Sequence, residues 1–243
     1  MSGTGRRPVT GHLDGTRLLS KVMNPAISGW PTRWGTAAWL GAIYAALEAY
    51  LWLIVPTRNS IPIGIGAIVI LALMVLDPIR RHETAATIGL TGTQLAESLR
   101  QLLPITILLV LGMYGLNRWI PDAPDLNGTR LLKRFLNILP WALLQQGLLQ
   151  ATFNRRITAV TAPGWPSALI VGAAFGGMHL PNIPLVLMTF AMGTVWARSY
   201  QRAPNLWVLV LSHALLSATA QSCLPAAWTH GFRIGPGYYR WHS

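Results

Sequence analysis

From Leu126 to Ser243 the chain carries no aspartate and no glutamate. All seven acids, Asp14, Glu48, Asp77, Glu83, Glu97, Asp122 and Asp125, precede that stretch. Chemistry in the second half that needs a carboxylate must therefore borrow one from the first. Charge of either sign is scarce: charged residues make up 11% of the chain, against about 25% in soluble domains, which excludes an ordinary water-facing globular surface. A single cysteine, Cys223, excludes an internal disulfide framework and says nothing of redox compartment. Strict apolar–polar alternation is missing, which excludes barrel strands, and no internal repeat of the kind found in many transporters is visible.

What the chain does have is apolar sequence in separate runs. Hydrophobic residues make up 52%, with 11 Trp and 17 Pro. This predicts an all-α, polytopic integral membrane helical bundle of about seven to eight spans. Spans are expected near residues 35–55, 61–76, 102–116, 135–153, 167–180, 183–197 and 206–220. Asp77-Pro78 is expected to break the second, leaving Glu83 as a solvated acid in the connection that follows. Thr91 to Gln94 has the spacing of a capping box for a short interfacial helix over 95–102. His12, His82, His230 and His242 fall in polar segments and are expected to be solvated. The domain reading is a polar tail over 1–33, front helices over 34–125, a motif-bearing core over 126–220 and a polar, aromatic tail over 221–243.

The net charge of +12 raises the question of nucleic acid. The basic residues, however, lie between apolar runs and form no groove-reading face, so positive-inside topology and anionic lipid headgroups account for them and no nucleic-acid partner is expected. With the N-terminus inside and seven spans, 12 basic residues fall inside and 7 outside. The expected location is a bacterial cytoplasmic membrane, with the N-terminal tail in the cytoplasm and no cleaved signal peptide.

Three stretches concentrate polar groups at bilayer depth. The first is Gln145-Gln146-Gly147-Leu148-Leu149-Gln150-Ala151. An unpaired polar group is costly in hydrocarbon, so these amides must face protein, water or a ligand. On a helix Gln146 and Gln150 share a face, with Gln145 turned about 100° away. Taken alone, they read as amides joining helices by hydrogen bonds. The second stretch is Phe175-Gly176-Gly177-Met178-His179-Leu180-Pro181-Asn182, where Gly172 and Gly176 also form a Gly-x-x-x-Gly pair suited to close helix approach. The third is His213 to Ser217, again one turn apart on one face. A lone intramembrane histidine is usually a packing residue, but ionisable groups at this depth raise the functional expectation.

In order and spacing, the three stretches resemble the CPBP family of intramembrane endopeptidases, the CAAX-protease, bacteriocin-processing and Abi-like proteins. That family's motifs are Glu-Glu-x-x-x-Arg, Phe-x-x-x-His and His-x-x-x-Asn. The first falls on Gln145, Gln146 and Gln150, the second on Phe175 and His179, and the third on His213 and Ser217. Asn182 trails the second motif as a supporting residue, and Ile88-Gly89-Leu90-Thr91 looks like the family's usual lead-in to its next span. The resemblance implies a CPBP-like core, peptide hydrolysis with a glutamate-activated water, and a third-motif His and Asn that help hold an oxyanion or a metal.

The departures from that pattern decide the functional reading. A general base must accept a proton; a carboxylate can, and a carboxamide has no comparable basicity. Gln145 and Gln146 keep the size of the family's glutamates and lose their chemistry. Gln150 replaces the arginine that would pair with them, coherently, since a guanidinium without an anion would be an uncompensated buried charge. Four departures at once fit natural degeneracy better than an engineered knockout. His179 and His213 could bind Zn²⁺ only with a third ligand and water. Glu48 is the one deeply placed carboxylate and the substitute base to consider; its plain reading is a helix-pairing acid near Trp52. The expected role is thus a pseudoprotease whose cavity takes a membrane-embedded or lipidated peptide, or a partner helix, without cutting it. The rivals are an active intramembrane endopeptidase using His179 and His213 with Glu48 or another base, and a transport or channel-type protein.

Overall fold

Asparagine starts most of the long helices in this chain. In the computed structural model, which describes residues 33–121 and 123–240, the Asn59 side chain accepts from the Ile61 amide at 3.1 Å and opens α2 (Ser60–Arg80). Asn127 accepts from Arg130 N at 2.9 Å at the head of α4 (Gly128–Gln146). Asn182 and Asn205 do the same, each at 3.2 Å, for α7 (Ile183–Arg202) and α8 (Leu206–Cys223). Each cap satisfies an amide that the first helical turn leaves without a partner. The remaining long elements are α1 (Arg33–Ala49), which runs on as π and 3-10 turns to Thr57, α3 (Leu95–Asn117) and α6 (Trp165–Gly177). Among the described residues there is no strand.

Among the described residues four helical segments are long and apolar enough to cross a bilayer: Arg33–Thr57, Ser60–Arg80, Leu95–Asn117 and Leu206–Cys223. They are not equivalent. Of the most apolar window, 72% is buried inside the protein in α8 but only 6% in α2. Helix α8 is therefore the axle of the bundle, while α2 and α3 show apolar side chains such as Ile61, Ile68, Leu108 and Leu111 outward. That is the pattern of helices whose outer solvent is lipid. Polar pairs tie α8 to its neighbours. The Thr106 and Ser212 hydroxyls bond at 2.8 Å, Asn117 Nδ2 donates to the Cys223 carbonyl at 2.9 Å, and the Arg134 guanidinium donates to the Gln221 carbonyl and, at 3.0 Å, to Ser222 Oγ.

Helix α4 does not stop at the first motif. It passes through an eight-residue π-helix, Gly147–Asn154, into α5 (Arg155–Thr161). Such wide turns are rare and recur at functional sites. Arg155 and Arg156 sit inside this continuous helix because their partners lie on other segments. Arg156 holds the Asp77 carboxylate through Nε at 3.0 Å and Nη2 at 2.5 Å, and Arg155 and Arg156 share Glu83 Oε1. Glu83 is accordingly not a solvated acid: its side chain is 5% exposed in this knot of charges.

Two further expectations are corrected. Helix α2 continues through Pro78 to Arg80, where the Pro78 carbonyl accepts from the Arg81 and Glu83 amides and finishes the turn. The interfacial helix over 95–102 is the first part of α3, one unbroken helix carried past Pro104. No capping box precedes it. Thr91 Oγ1 is 2.7 Å from Thr93 Oγ1, and both threonine carbonyls accept from Asn205 Nδ2 at 3.1 Å. Gly89, at φ +76°, lies so close to the Pro204–Asn205 backbone that a Cβ would not fit, and its carbonyl accepts from Leu206 N at 2.8 Å. The segment Ile88 to Thr91 thus clasps the α7–α8 corner. His82 is exposed, and His230 is 3.3 Å from the Tyr238 hydroxyl. Asp14, His12, Asp122, His242 and the N-terminal tail through residue 32 lie outside the described residues.

Candidate functional site

The site is built on three helices. Helix α4 and its π extension carry Gln145, Gln146 and Gln150, α6 delivers Phe175 and, in the turn after it, His179, and α8 carries His213 and Ser217. The antiparallel α6–α7 pair is held close by missing side chains. A Cβ on Gly172 would collide with Thr194 Oγ1 and the Phe190 carbonyl, and Gly193 faces the Gly172 Cα and the Phe175 ring. The Gly-x-x-x-Gly pair therefore admits α7, and α7 brings Trp196.

Phe175 is the hub of the aromatic packing. Its ring meets His179 edge-on at 4.9 Å and His213 edge-on at 5.8 Å, between ring centroids. Trp196 stacks on His213 at 4.7 Å and donates from its indole to Ser212 Oγ at 3.1 Å. Both imidazoles are nearly buried, at 8% exposure for His179 and 6% for His213. Each has Nδ1 engaged: His179 with the Phe175 carbonyl at 2.7 Å, His213 with Gln146 Nε2 at 3.1 Å. The Nε2 atoms have no protein partner among the described residues.

The first motif splits. Gln145 lines a cavity of about 480 Å³ together with His179, His213 and Ser217. Gln146 is completely buried behind them and opens a chain of amides. Gln150 Nε2 donates to Gln146 Oε1 at 3.1 Å, and Asn154 Nδ2 donates to Gln150 Oε1 at 2.8 Å. Gln201 Nε2 then donates to Asn154 Oδ1 at 2.9 Å and to Ser167 Oγ at 3.1 Å. The i, i+4, i+8 spacing of Gln146, Gln150 and Asn154 lays them along one face. Asn154 was readable from that spacing as a third member; Gln201, on α7, left no local signal.

Apart from Thr189 and Gln221 the rest of the cavity is apolar, and no carboxylate, lysine or arginine side chain is among its described lining residues. Trp196 lines it, as do Phe232 and Ile234 from the C-terminal tail. That tail is held by Asn182, whose Nδ2 donates to the Thr229 and Arg233 carbonyls at 2.8 and 3.0 Å, and by the Gly235 amide, which donates to the Leu180 carbonyl at 2.8 Å. The amide of Asn182 is fully occupied by these bonds and its helix cap. Glu48 is not brought to the cavity. It accepts from Trp52 Nε1 at 3.1 Å, one turn along its own helix.

A zinc site of the catalytic kind takes three protein ligands and a water. The cavity offers two imidazoles and amides, and no cluster of three His, Cys, Asp or Glu exists among the described residues. The donors present do not fit a zinc ion. Nor can the amides do a base's work: neither Gln145 nor Gln146 can take a proton from water. What the arrangement can do is hydrogen-bond a buried ligand and surround its apolar remainder.

Fold and site together define an all-helical membrane protein with a two-histidine, multi-amide centre opening on an apolar cavity. Residues 141–219, the segment holding all three motifs, match the family model of the type II CAAX prenyl endopeptidase Rce1-like proteins. That match supports assignment to the CPBP/CAAX protease family. No curated protein and no solved structure matched the chain.

Proposed function

We propose that this CAAX-protease-like membrane protein is a pseudoprotease: its cavity binds a membrane-embedded or lipidated peptide segment and does not hydrolyse it. The observation that carries this reading is the cavity wall. Gln145, His179, His213 and Ser217 stand together there, at the positions that match the family's catalytic motifs, and no acidic side chain is beside them. Binding by shape and hydrogen bonding needs none; water activation does. Glu48, engaged with Trp52 on α1, supports the same reading.

The test uses the purified full-length chain in detergent and a panel of transmembrane and prenylated peptides. Retention of peptides without cleavage is expected, and cleavage that disappears in His179→Ala would refute the pseudoprotease. The complementary variant combines Gln145→Glu, Gln146→Glu and Gln150→Arg. It places a carboxylate in the cavity and exchanges the Gln146–Gln150 amide contact for an ion pair. Measurable hydrolysis is expected; a folded but inert triple variant would mean that the cavity has diverged beyond its motif residues.

A further inference from the structure

The amide chain has a direction, and two fixed ends set it. An amide's oxygen and nitrogen are nearly alike in shape, so the network must decide which is which. At the far end, the Gly164 backbone N–H lies 3.0 Å from Gln201 Oε1, and Arg198 Nη1 lies 3.3 Å from the same atom. Both groups can only donate, so that atom is an oxygen and the amide's nitrogen faces Asn154. In the middle, the Ala197 carbonyl lies 3.0 Å from Asn154 Nδ2 and can only accept. The two constraints agree: Gln201 donates to Asn154, and Asn154 donates to Gln150. Gln150 must then donate to Gln146, and Gln146 has only its nitrogen left for His213 Nδ1. An amide nitrogen does not accept. His213 Nδ1 therefore accepts, and the ring's proton sits on Nε2.

His179 is fixed the opposite way. Its Nδ1 is 2.7 Å from the Phe175 carbonyl, which only accepts. Its proton is on Nδ1, and its Nε2 is a bare lone pair. The two rings, both packed on Phe175, thus offer the cavity one donor and one acceptor, in a wall without charged side chains.

We infer that the cavity selects an uncharged group that both donates and accepts a hydrogen bond, carried on an apolar chain: a hydroxyl or a secondary amide, accepting from His213 Nε2 and donating to His179 Nε2. A carboxylate cannot donate to His179, and an ammonium cannot accept from His213. Either would also enter a membrane-embedded cavity whose described wall offers no counter-charge. A lipid alcohol and an unwound stretch of peptide backbone share this chemistry. The inference rests on the reading that the cavity binds a membrane-embedded ligand, and it names what that ligand presents.

The first measurement is ring ¹⁵N NMR on the histidine-labelled full-length protein in detergent, assigned by His179→Gln and His213→Gln. The unprotonated nitrogen, which resonates far downfield, is expected at Nδ1 of His213 and at Nε2 of His179. Gln146→Glu should reverse His213, because a carboxylate only accepts and would draw the ring proton to Nδ1. If that variant does not fold, Asn154→Leu removes the Ala197 constraint and cuts Gln201 off from the ring, and should turn the His213 signal into a mixture of both forms. His213 protonated on Nδ1 in the unmodified protein would overturn the inference and leave peptide binding itself untouched.

The second measurement compares four probes on the same twelve-carbon chain, dodecanol, N-methyldodecanamide, dodecanoate at pH 9 and dodecylammonium, by displacement of a bound fluorescent lipid. The neutral pair should bind at least about tenfold more tightly than the charged pair, as one forfeited buried hydrogen bond implies. The stronger of the two neutral probes identifies the source, lipid hydroxyl or peptide amide. Equal binding of a charged probe, or no binding by either neutral one, overturns the ligand assignment. Retention of peptides in the panel above tests the binding reading separately.

Discussion

Two polar clusters lie back to back along one helix, and they solve the problem of burial in opposite ways. On α5, the end of α2 and the loop after it, Arg155, Arg156 and Arg81 neutralise Asp77 and Glu83. One residue earlier, at Asn154, a chain of uncharged amides begins and runs the other way to His213. The charged knot is strong wherever its partners stay together and gives little directional information, because a guanidinium only donates and a carboxylate only accepts. The amide chain is the reverse. Each link is modest, but each amide can be placed two ways round, so the chain can carry an orientation from one end to the other. The contrast teaches what the missing acids mean. The front half lends its carboxylates to the back half, through Asp77 and Glu83, yet lends them to the structural knot and not to the cavity.

The largest effect is expected where the most charged contacts converge. Arg156→Met removes three hydrogen bonds and leaves Asp77 with Arg81 and Glu83 with Arg155. A loss of about 3 kcal/mol, within the range for breaking a buried pair, should appear in unfolding of the purified protein. Changing Asp77→Asn and Glu83→Gln in the same chain should deepen the loss, because it strands the buried guanidiniums of Arg81 and Arg155 without an anion. Recovery would mean that the knot acts through shape.

Cutting the amide chain should cost less. Gln150→Leu leaves Gln146 Oε1 without its donor and takes one acceptor from Asn154, which keeps the Ala197 carbonyl. A loss of about 1–2 kcal/mol is expected from one unsatisfied buried acceptor. A loss equal to that of Arg156→Met would break the distinction between the two clusters.

The amide chain also marks where the sequence was readable and where it was not. Local chemistry was legible: the Asn182 and Asn205 caps place the starts of α7 and α8 where the apolar runs suggested, and the three motif stretches could be picked out by spacing. What escaped was everything decided by distant partners. Glu83 looks solvated until Arg155, 72 residues on, is brought to it. Pro78 looks like a stop, but a helix that packs or spans tolerates one lost hydrogen bond. The C-terminal tail looks like a polar appendage, yet Asn182 draws it in to place Phe232 and Ile234 on the cavity wall. The expected span count also exceeds the four segments that are long and apolar enough to cross, because the amides and basic residues of α4 and the short length of α6 dilute those runs.

The smallest effect belongs to Glu48, which joins neither cluster. Glu48 accepts from Trp52 Nε1 and hydrogen-bonds the Tyr44 hydroxyl, and a glutamine oxygen can accept in the same way. Glu48→Gln should change stability by less than about 0.5 kcal/mol, as substitutions away from buried networks generally do. It should also leave peptide retention unchanged. Its value is greatest in the background carrying Gln145→Glu, Gln146→Glu and Gln150→Arg. Hydrolysis gained there should persist with Glu48→Gln, because the new carboxylate at 145 faces the cavity and Glu48 does not line it. Hydrolysis that vanished would place Glu48 among the working groups, and the division between a charged frame and an uncharged cavity would fail at that residue.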